Sequence, residues 1–250
     1  GAPAMIILNN AFYDTGESVE EEHNAIADHY GVPHVSVRDT ILPRIRAGEF
    51  TREDLSPDGL HPNDRGHALI AEEILKVIPD ASEAAGISAP EGALPAPFVG
   101  DGYARLTRYD ITNCTPVLSG FLTDGEKPQN AWDFFRHGWI GRRIGDRLSV
   151  RLSGRNLAVV YRKSIHRPTP VARLILDGDV SHAVMLDGNF DQDWGDCLFL
   201  QPVLHHGSPG DHTLEIEIVQ ATDGDRSPFY LLSFGADART GDPSLSDGNL

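Results

Sequence analysis

The sequence predicts an α/β segment followed by an all-β domain, either a β-sandwich or a jelly roll. Near the start of the chain, a strand, a helix and a second strand follow one another, which is the order of a βαβ unit. A stretch rich in Ala and Pro comes later. Beyond it, short apolar runs are separated by Gly, Pro, Asn and Asp turns, a spacing typical of a sandwich.

The α/β segment begins with a short apolar run, Met5–Asn9, which is typical of a strand buried on both faces. Ser18 and Glu21 fit the S-x-x-E capping box, so we expect a helix to begin there and to stop at Gly31. Val32–Val37 is predicted to be the second strand. This order implies a parallel sheet.

The stretch from Asp58 to His67 reads D-G-L-H-P-N-D-R-G-H. It places Asp58 and His61 three positions apart in a loop that Gly59 allows to fold tightly and Pro62 stiffens. A neutral His is well suited to accept a proton near pH 7, above all when a carboxylate binds its far ring nitrogen. The pattern therefore favours acid–base chemistry.

A helix should follow this loop at once. Asn63 or Asp64 is expected to cap it, and it should run to about Ile78. A shorter helix is expected earlier, within Asp39–Phe50. The residues predicted to share one apolar face of the long helix are Ala68, Ala71, Leu75 and Ile78.

The D-G-L-H-P-N-D-x-G-H block with its Ala/Leu/Ile helix resembles the last conserved block of the SGNH (GDSL-type) hydrolases. In that family, the Asp and His of a D-x-x-H motif are two members of a Ser-His-Asp triad. The resemblance implies that Asp58 orients the imidazole and that His61 is the general base. It also implies a three-layer, flavodoxin-like α/β fold and no metal or organic cofactor.

One departure from the family concerns the nucleophile. SGNH hydrolases take it from a G-D-S block, and their oxyanion donors from that Ser and from a Gly and an Asn in two later blocks. These blocks are not visible before Asp58, and the chain opens on Gly1-Ala2-Pro3. We therefore expect residues 1–79 to be a partial α/β domain, the C-terminal part of an SGNH-like hydrolase domain, whose missing N-terminal part is a partner of this chain.

Composition limits the function classes. The chain has 250 residues, a formal net charge of -16 and 40% hydrophobic residues. An acidic chain is poorly suited to bind nucleic acid, since phosphate recognition needs clustered Lys and Arg. It also has no apolar run near the ~20 residues that span a bilayer. The two cysteines, Cys114 and Cys197, are expected to be free thiols, with one disulfide as the alternative.

Residues 80–97 are predicted to be a linker, because they are rich in Ala, Pro, Gly and Ser and lack a sustained apolar period. Residues 98–250 are predicted to form the β-sandwich domain. Motifs such as V-x-Y-R, L-D-G-x-F-x-x-x-W-G and G-D-H-T-L resemble the sandwich module that follows the hydrolase domain in some SGNH proteins. The predicted strands are Leu148–Leu152, Leu157–Tyr161, Val171–Leu176, Ala183–Leu186, Leu198–Leu200, Thr213–Val219 and Tyr230–Phe234.

Aromatic residues in the second half could stack on sugar rings, although a place in the core is the more common role. These are Trp132, Trp139, Trp194, Phe134 and Phe135.

Two other stretches look like sites but have simpler interpretations. Asp187–Asp196 has acids at alternate positions, yet it lacks the Gly and Glu of a calcium loop, so a solvated acidic loop is favoured. His205–His212 contains Ser, His and Asp together, but its Ser-Pro-Gly-Asp segment is turn chemistry.

The leading hypothesis is a carboxylic-ester hydrolase that acts on a small acyl ester or an acetylated carbohydrate. The competing hypothesis is a non-catalytic, glycan- or protein-binding β-sandwich module with a remnant hydrolase segment.

Overall fold

The computed structural model describes residues 5–78, 95–99, 103, 105–130 and 133–237. The chain divides into two compact units, Gly1–Gly100 and Asp101–Leu250. Most of the predicted linker, 80–97, lies outside the described residues.

The described part of the first unit contains two short strands and five helices. The strands pair in parallel, with Ile7 opposite His34, as the βαβ order predicts. The elements are β1 Ile7–Asn9, α1 Glu20–Tyr30, β2 His34–Ser36, α2 Val37–Thr40, α3 Leu42–Arg46, α4 Arg52–Leu55 and α5 Asp64–Val77.

Helix α1 begins at Glu20 and lacks the predicted capping box. The Ser18 hydroxyl accepts the backbone N–H of Glu20 at 3.2 Å. The Glu21 carboxylate accepts a hydrogen bond from Arg38 instead of returning to the backbone of Ser18. The predicted stop is confirmed, because Gly31 ends the helix in the left-handed conformation with φ of 65°.

Helix α5 lies against a small apolar core, but not with the face that its apolar spacing suggested. Its buried residues are Gly66, Leu69, Ile70 and Glu73. The four residues predicted to share an apolar face, Ala68, Ala71, Leu75 and Ile78, are exposed instead. The core of this unit consists of Tyr13, Val37, Ile41, Leu55, Leu69 and Ile70.

The second unit is a β-sandwich, which confirms the predicted fold of this part. One sheet has the strand order β10-β9-β12-β7-β4, and the other has the order β11-β8-β13-β6-β5 with β3 also paired to β13. Its strands are β3 Leu106–Tyr109, β4 Val117–Ser119, β5 Leu122–Thr123, β6 Trp139–Gly141, β7 Arg147–Gly154, β8 Leu157–Lys163, β9 Val171–Leu176, β10 Asp179–Asp187, β11 Cys197–Leu204, β12 Gly210–Gln220 and β13 Phe229–Asp237.

The facing sides of the two sheets form one hydrophobic core. Alternate residues of β7 and β12 contribute to it from the first sheet, and β8 and β13 contribute from the second. Its largest members include Trp139, Tyr161, Phe229 and Phe234. Cys114 and Cys197 do not form a disulfide.

On the outer side of the first sheet, Glu217 of β12 joins both of its neighbouring strands. Its carboxylate accepts from Arg147 of β7 at 2.8 Å and from Arg173 of β9 at 2.6 Å. Each arginine lies directly opposite Glu217 in the strand register. Ile216 and Ile218, on either side of it, are fully buried.

No helix in the described part of the chain is long and apolar enough to cross a membrane.

Candidate active site

The loop that contains the predicted site, residues 56–63, connects α4 to α5. Its last residue, Asn63, forms hydrogen bonds with both helices. Asn63 donates its backbone N–H to the carbonyl oxygen of Leu55 at 2.8 Å. Its Oδ1 accepts the backbone N–H groups of Arg65 and Gly66 at 3.0 and 3.1 Å. Asn63, one of the two residues predicted to cap α5, therefore does so.

The loop brings Asp58 and His61 together. Nδ1 of His61 lies 2.7 Å from Oδ2 of Asp58. The other carboxylate oxygen, Oδ1, accepts the backbone N–H of His61 at 2.8 Å and that of Leu60 at 3.0 Å. These hydrogen bonds, led by the one from the backbone of His61, hold the pKa of Asp58 far below its usual range.

The charge of Asp58 determines the protonation pattern of the imidazole. An ionised carboxylate only accepts hydrogen bonds, so Nδ1 of His61 must carry the hydrogen that joins the pair. In the neutral ring, Nε2 is then the free base. This is the tautomer that a general base needs when it takes a proton from a hydroxyl.

The reactive side of the imidazole is accessible. The His61 side chain is 77% exposed. Among the residues that the structure describes, no group forms a hydrogen bond with Nε2. The described part of the chain thus brings Asp58 and His61 together, and within that part no hydroxyl forms a hydrogen bond with Nε2.

Gly59 lets the loop turn between Asp58 and His61. Its φ is 84°, a left-handed conformation that residues with a side chain adopt at a cost. Its carbonyl oxygen accepts the backbone N–H of Tyr13 at 2.8 Å, which ties the loop to the segment after β1. A Cβ at this position would lie 2.8 Å from Oδ2 of Asp14. Both the conformation and the space therefore favour glycine.

A partly buried polar cluster at the carboxyl end of β1 and a buried one at that of β2 were not predicted from the sequence. Asn9 donates from Nδ2 to Asn24 at 2.7 Å, and its Oδ1 lies 2.9 Å from Nδ1 of His23. Ser36 donates its hydroxyl to Glu20 at 2.8 Å. Asn9 ends its apolar run and so gave a signal, whereas Ser36 lies within the predicted strand Val32–Val37 and gave none. These bonds fix α1 to both strand ends, where α/β folds place their ligands.

Besides Asp64–His67 in α5, a further D-x-x-H sequence occurs in the β-sandwich, at the start of β10, and its Asp and His also form a pair. Nδ1 of His182 lies 2.7 Å from Oδ2 of Asp179, the same separation as in the first pair. Hydrogen bonds from the Ser181 hydroxyl and from His182 lower the pKa of Asp179 to about 2. An Asp–His pair alone is therefore not diagnostic of catalysis. A cavity of about 270 Å³ beside it is lined by Leu174, Leu176, Asp177, Asp179, His182, Val184 and Val203.

The aromatic candidates for sugar stacking differ in their exposure to solvent. Trp139 is buried in the sandwich core, so it presents no face to a ligand. Trp194 is 68% exposed and Phe134 is also exposed, whereas Phe135 is partly buried. Trp132 lies outside the described residues. Trp194 is thus the tryptophan that the described structure leaves available.

Several polar side chains of the two other candidate stretches form hydrogen bonds within the fold. Oδ1 of Asp187 accepts from the backbone of Asn189, and Oδ1 of Asp196 accepts from the Ser164 hydroxyl. His212 pairs through Nδ1 with Asp177 at 2.7 Å. These side chains stabilise loops and turns.

No protein-family model matches the chain, and no curated protein matches it. Among solved structures, the chain is similar to a two-domain esterase active on acetylated mannans. The TM-scores are 0.84 for its complex with mannopentaose and 0.83 for a second crystal structure, both at 37% sequence identity. The match covers 96% of this chain in both cases, but only 64% and 65% of the esterase chains.

A family two carbohydrate esterase from Cellvibrio japonicus matches 54% of this chain with 12% identity and a TM-score of 0.34. This likeness is too weak to carry an argument.

Proposed function

We propose that this chain belongs to a serine ester hydrolase of the SGNH type that removes acyl groups, acetyl above all, from carbohydrates. The observation that carries the proposal is the contact of 2.7 Å between Asp58 and His61, in a loop whose backbone also holds the carboxylate. The 37% identity to an esterase active on acetylated mannans supports the substrate class.

In the proposed reaction, a serine hydroxyl attacks the ester carbonyl. Nε2 of His61 takes the hydroxyl proton and returns it to the leaving alcohol, while Asp58 holds Nδ1–H and stabilises the imidazolium. Water then hydrolyses the acyl-enzyme through the same base. The serine and the donors that stabilise the oxyanion would come from a part of the protein outside these 250 residues.

We further propose that residues 1–79 complete a larger three-layer, flavodoxin-like α/β domain with that part. Parallel sheets in α/β proteins are normally covered on both faces, and an isolated pair of strands is only marginally stable. Here two parallel strands pair alone in the described structure, and Leu8 in the middle of β1 is 40% exposed. Further strands and helices would cover this surface.

The proposal is tested on the full-length protein with p-nitrophenyl acetate and with acetylated mannan, by measuring released product. His61→Ala should lower kcat by at least ~10³-fold, since the base and nucleophile act as one unit. His182→Ala is the matched control, because it removes the imidazole of the Asp179–His182 pair, which has the same spacing and the same separation, and it should retain full activity.

The 250-residue chain alone should be inactive toward both esters. Turnover by the purified chain with a burst of product would contradict the proposed source of the nucleophile. Full activity of the His61→Ala variant would contradict the proposed reaction itself.

A second candidate is glycan binding by the β-sandwich without catalysis, and the exposed indole of Trp194 favours it. Retention of the chain on mannan that Trp194→Ala abolishes, together with a full-length protein inert toward every ester tested, would support this alternative.

A further inference from the structure

Ser56 lies at the start of the site loop and is fully buried. It stands two residues before Asp58, and its backbone N–H closes the last turn of α4 by donating to the carbonyl oxygen of Arg52 at 2.8 Å. The backbone of Ser56 is therefore held by the end of a helix.

The hydroxyl of Ser56 forms hydrogen bonds with two residues of the turn, Asp58 and Gly59. Its oxygen accepts the backbone N–H of Gly59 at 2.9 Å. Its hydrogen is donated to Oδ1 of Asp58 at 3.3 Å. One buried oxygen thus joins the carboxylate to the turn that leads to His61, and the donor it satisfies would otherwise be a buried, unpaired N–H group.

These bonds determine which way the carboxylate faces. Oδ1 of Asp58 receives three donors: the Ser56 hydroxyl and the backbone N–H groups of Leu60 and His61. With Oδ1 held in this way, Oδ2 is directed at Nδ1 of His61. The two backbone donors keep their directions only while the turn at Gly59 keeps its shape, and the Ser56 hydroxyl accepts from that turn.

We propose that Ser56 is a positioning residue, which fixes the carboxylate of Asp58 and the turn at Gly59 so that His61 is held as its Nδ1–H tautomer. Its role in catalysis rests on the proposed function. Its role in selecting the tautomer does not, and can be measured in the absence of any reaction.

The second pair supplies a matched control. Ser181 donates its hydroxyl to Oδ1 of Asp179, but it is exposed and lies inside the D-x-x-H sequence instead of before it. Ser181→Ala therefore removes a comparable hydroxyl beside an Asp–His pair with the same distance between Nδ1 and Oδ2, and it should leave the tautomer ratio of His61 unchanged.

The experiment measures ¹⁵N chemical shifts of the imidazole nitrogens in the 250-residue chain labelled at histidine, at an alkaline pH where the rings are neutral. The His61 signals are assigned by their loss in His61→Gln. The wild-type ring should be mainly the Nδ1–H tautomer. Ser56→Ala should change the tautomer ratio about tenfold toward Nε2–H, the effect of weakening one hydrogen bond to a charged group. Ser56→Thr, which keeps a hydroxyl, should retain most of the wild-type ratio.

If Ser56→Ala does not fold, Ser56→Cys replaces it, because a thiol has a similar shape but is a weak donor and acceptor. A wild-type ratio in a folded Ser56→Ala or Ser56→Cys variant would overturn the proposal. An equal change in Ser181→Ala would also overturn it, since the effect would then not be specific.

Kinetics on the full-length protein separate the two proposals. If both hold, Ser56→Ala should lower kcat about tenfold with little change in KM, and Ser56→Thr should rescue it. A changed tautomer ratio in a protein that hydrolyses no ester would refute the proposed function and leave the positioning role intact. An unchanged kcat in an active enzyme would overturn the catalytic part of this inference.

Discussion

Gly66→Ala should destabilise the first unit, although helix propensity alone predicts the reverse. Alanine is favoured over glycine within a helix by about 1 kcal/mol. However, a Cβ on Gly66 would lie 2.5 Å from the carbonyl oxygen of Leu55 and 2.8 Å from Cβ of Pro62. The Leu55 oxygen also accepts the backbone N–H of Asn63, so it cannot move away without disturbing the cap of α5.

The expected magnitude follows from these opposing effects. Overpacking against the backbone costs about 1–3 kcal/mol, and a disturbed N-cap costs about 1 kcal/mol more. After the gain in propensity of about 1 kcal/mol, the net loss in the free energy of unfolding should be about 1–3 kcal/mol.

The assay is urea unfolding followed by the helical circular dichroism signal, which reports on the first unit because the helices of the described residues all lie there. Ala71→Gly, on the exposed side of the same helix, is the control and should lose about 1 kcal/mol through propensity alone. A Gly66→Ala variant as stable as the wild type, or more stable, would refute the steric argument.

Other substitutions test separate features. Asn63→Ala should cost about 1 kcal/mol of unfolding free energy in the same assay, because it removes the cap of α5. Tyr13→Phe should be neutral or stabilising by up to about 1 kcal/mol, since its buried hydroxyl has no partner among the described residues. The hydrogen bond to Asp177 raises the pKa of His212 above its usual 6.5. The stabilisation that this hydrogen bond gives the folded state is therefore complete below about pH 6.5, and it is lost as the pH rises through the pKa of His212 in the folded protein. Thermal melts of His212→Gln should fall furthest below wild type at mildly acidic pH, and a gap that widens at alkaline pH would contradict this assignment.

Periodicity indicated that α5 is a helix, but it did not identify the face that α5 buries. Ala68, Ala71 and Leu75 do share one side, as their spacing predicts, and that side is exposed in the structure. Gly66 lies on the buried side because the Leu55 carbonyl approaches it closely. When another part of the chain approaches a helix this closely, the contact requires a small residue, and an apolar pattern does not show where that happens.

The strands with clear alternation were located from the sequence, whereas β3 to β6 were not. β5, for example, is only Leu122–Thr123, and both of its residues are exposed. Strands this short are stabilised by their partners, here by pairing with Trp139 and Ile140 of β6, so a local pattern cannot reveal them.

The D-x-x-H spacing accompanies a contact between Asp58 and His61, but the same spacing accompanies a contact between Asp179 and His182. What sets the first pair apart is the buried serine and the turn that hold its carboxylate. The sequence did not predict Ser56 as a partner of Asp58, because it does not show where a hydroxyl points.

The carboxylate of Glu217 also affects how the sandwich selects its strand order. The outer side of β7 carries Arg147 and that of β9 carries Arg173, whereas β12 carries Glu217 between them. Pairing β7 directly with β9 would bring like charges toward each other across the strands, which is unfavourable. The repulsion between Arg147 and Arg173 therefore disfavours a wrong pairing of β7 with β9 while the chain folds. β12 is the last of the three strands to be synthesised, and its insertion between them completes the sheet.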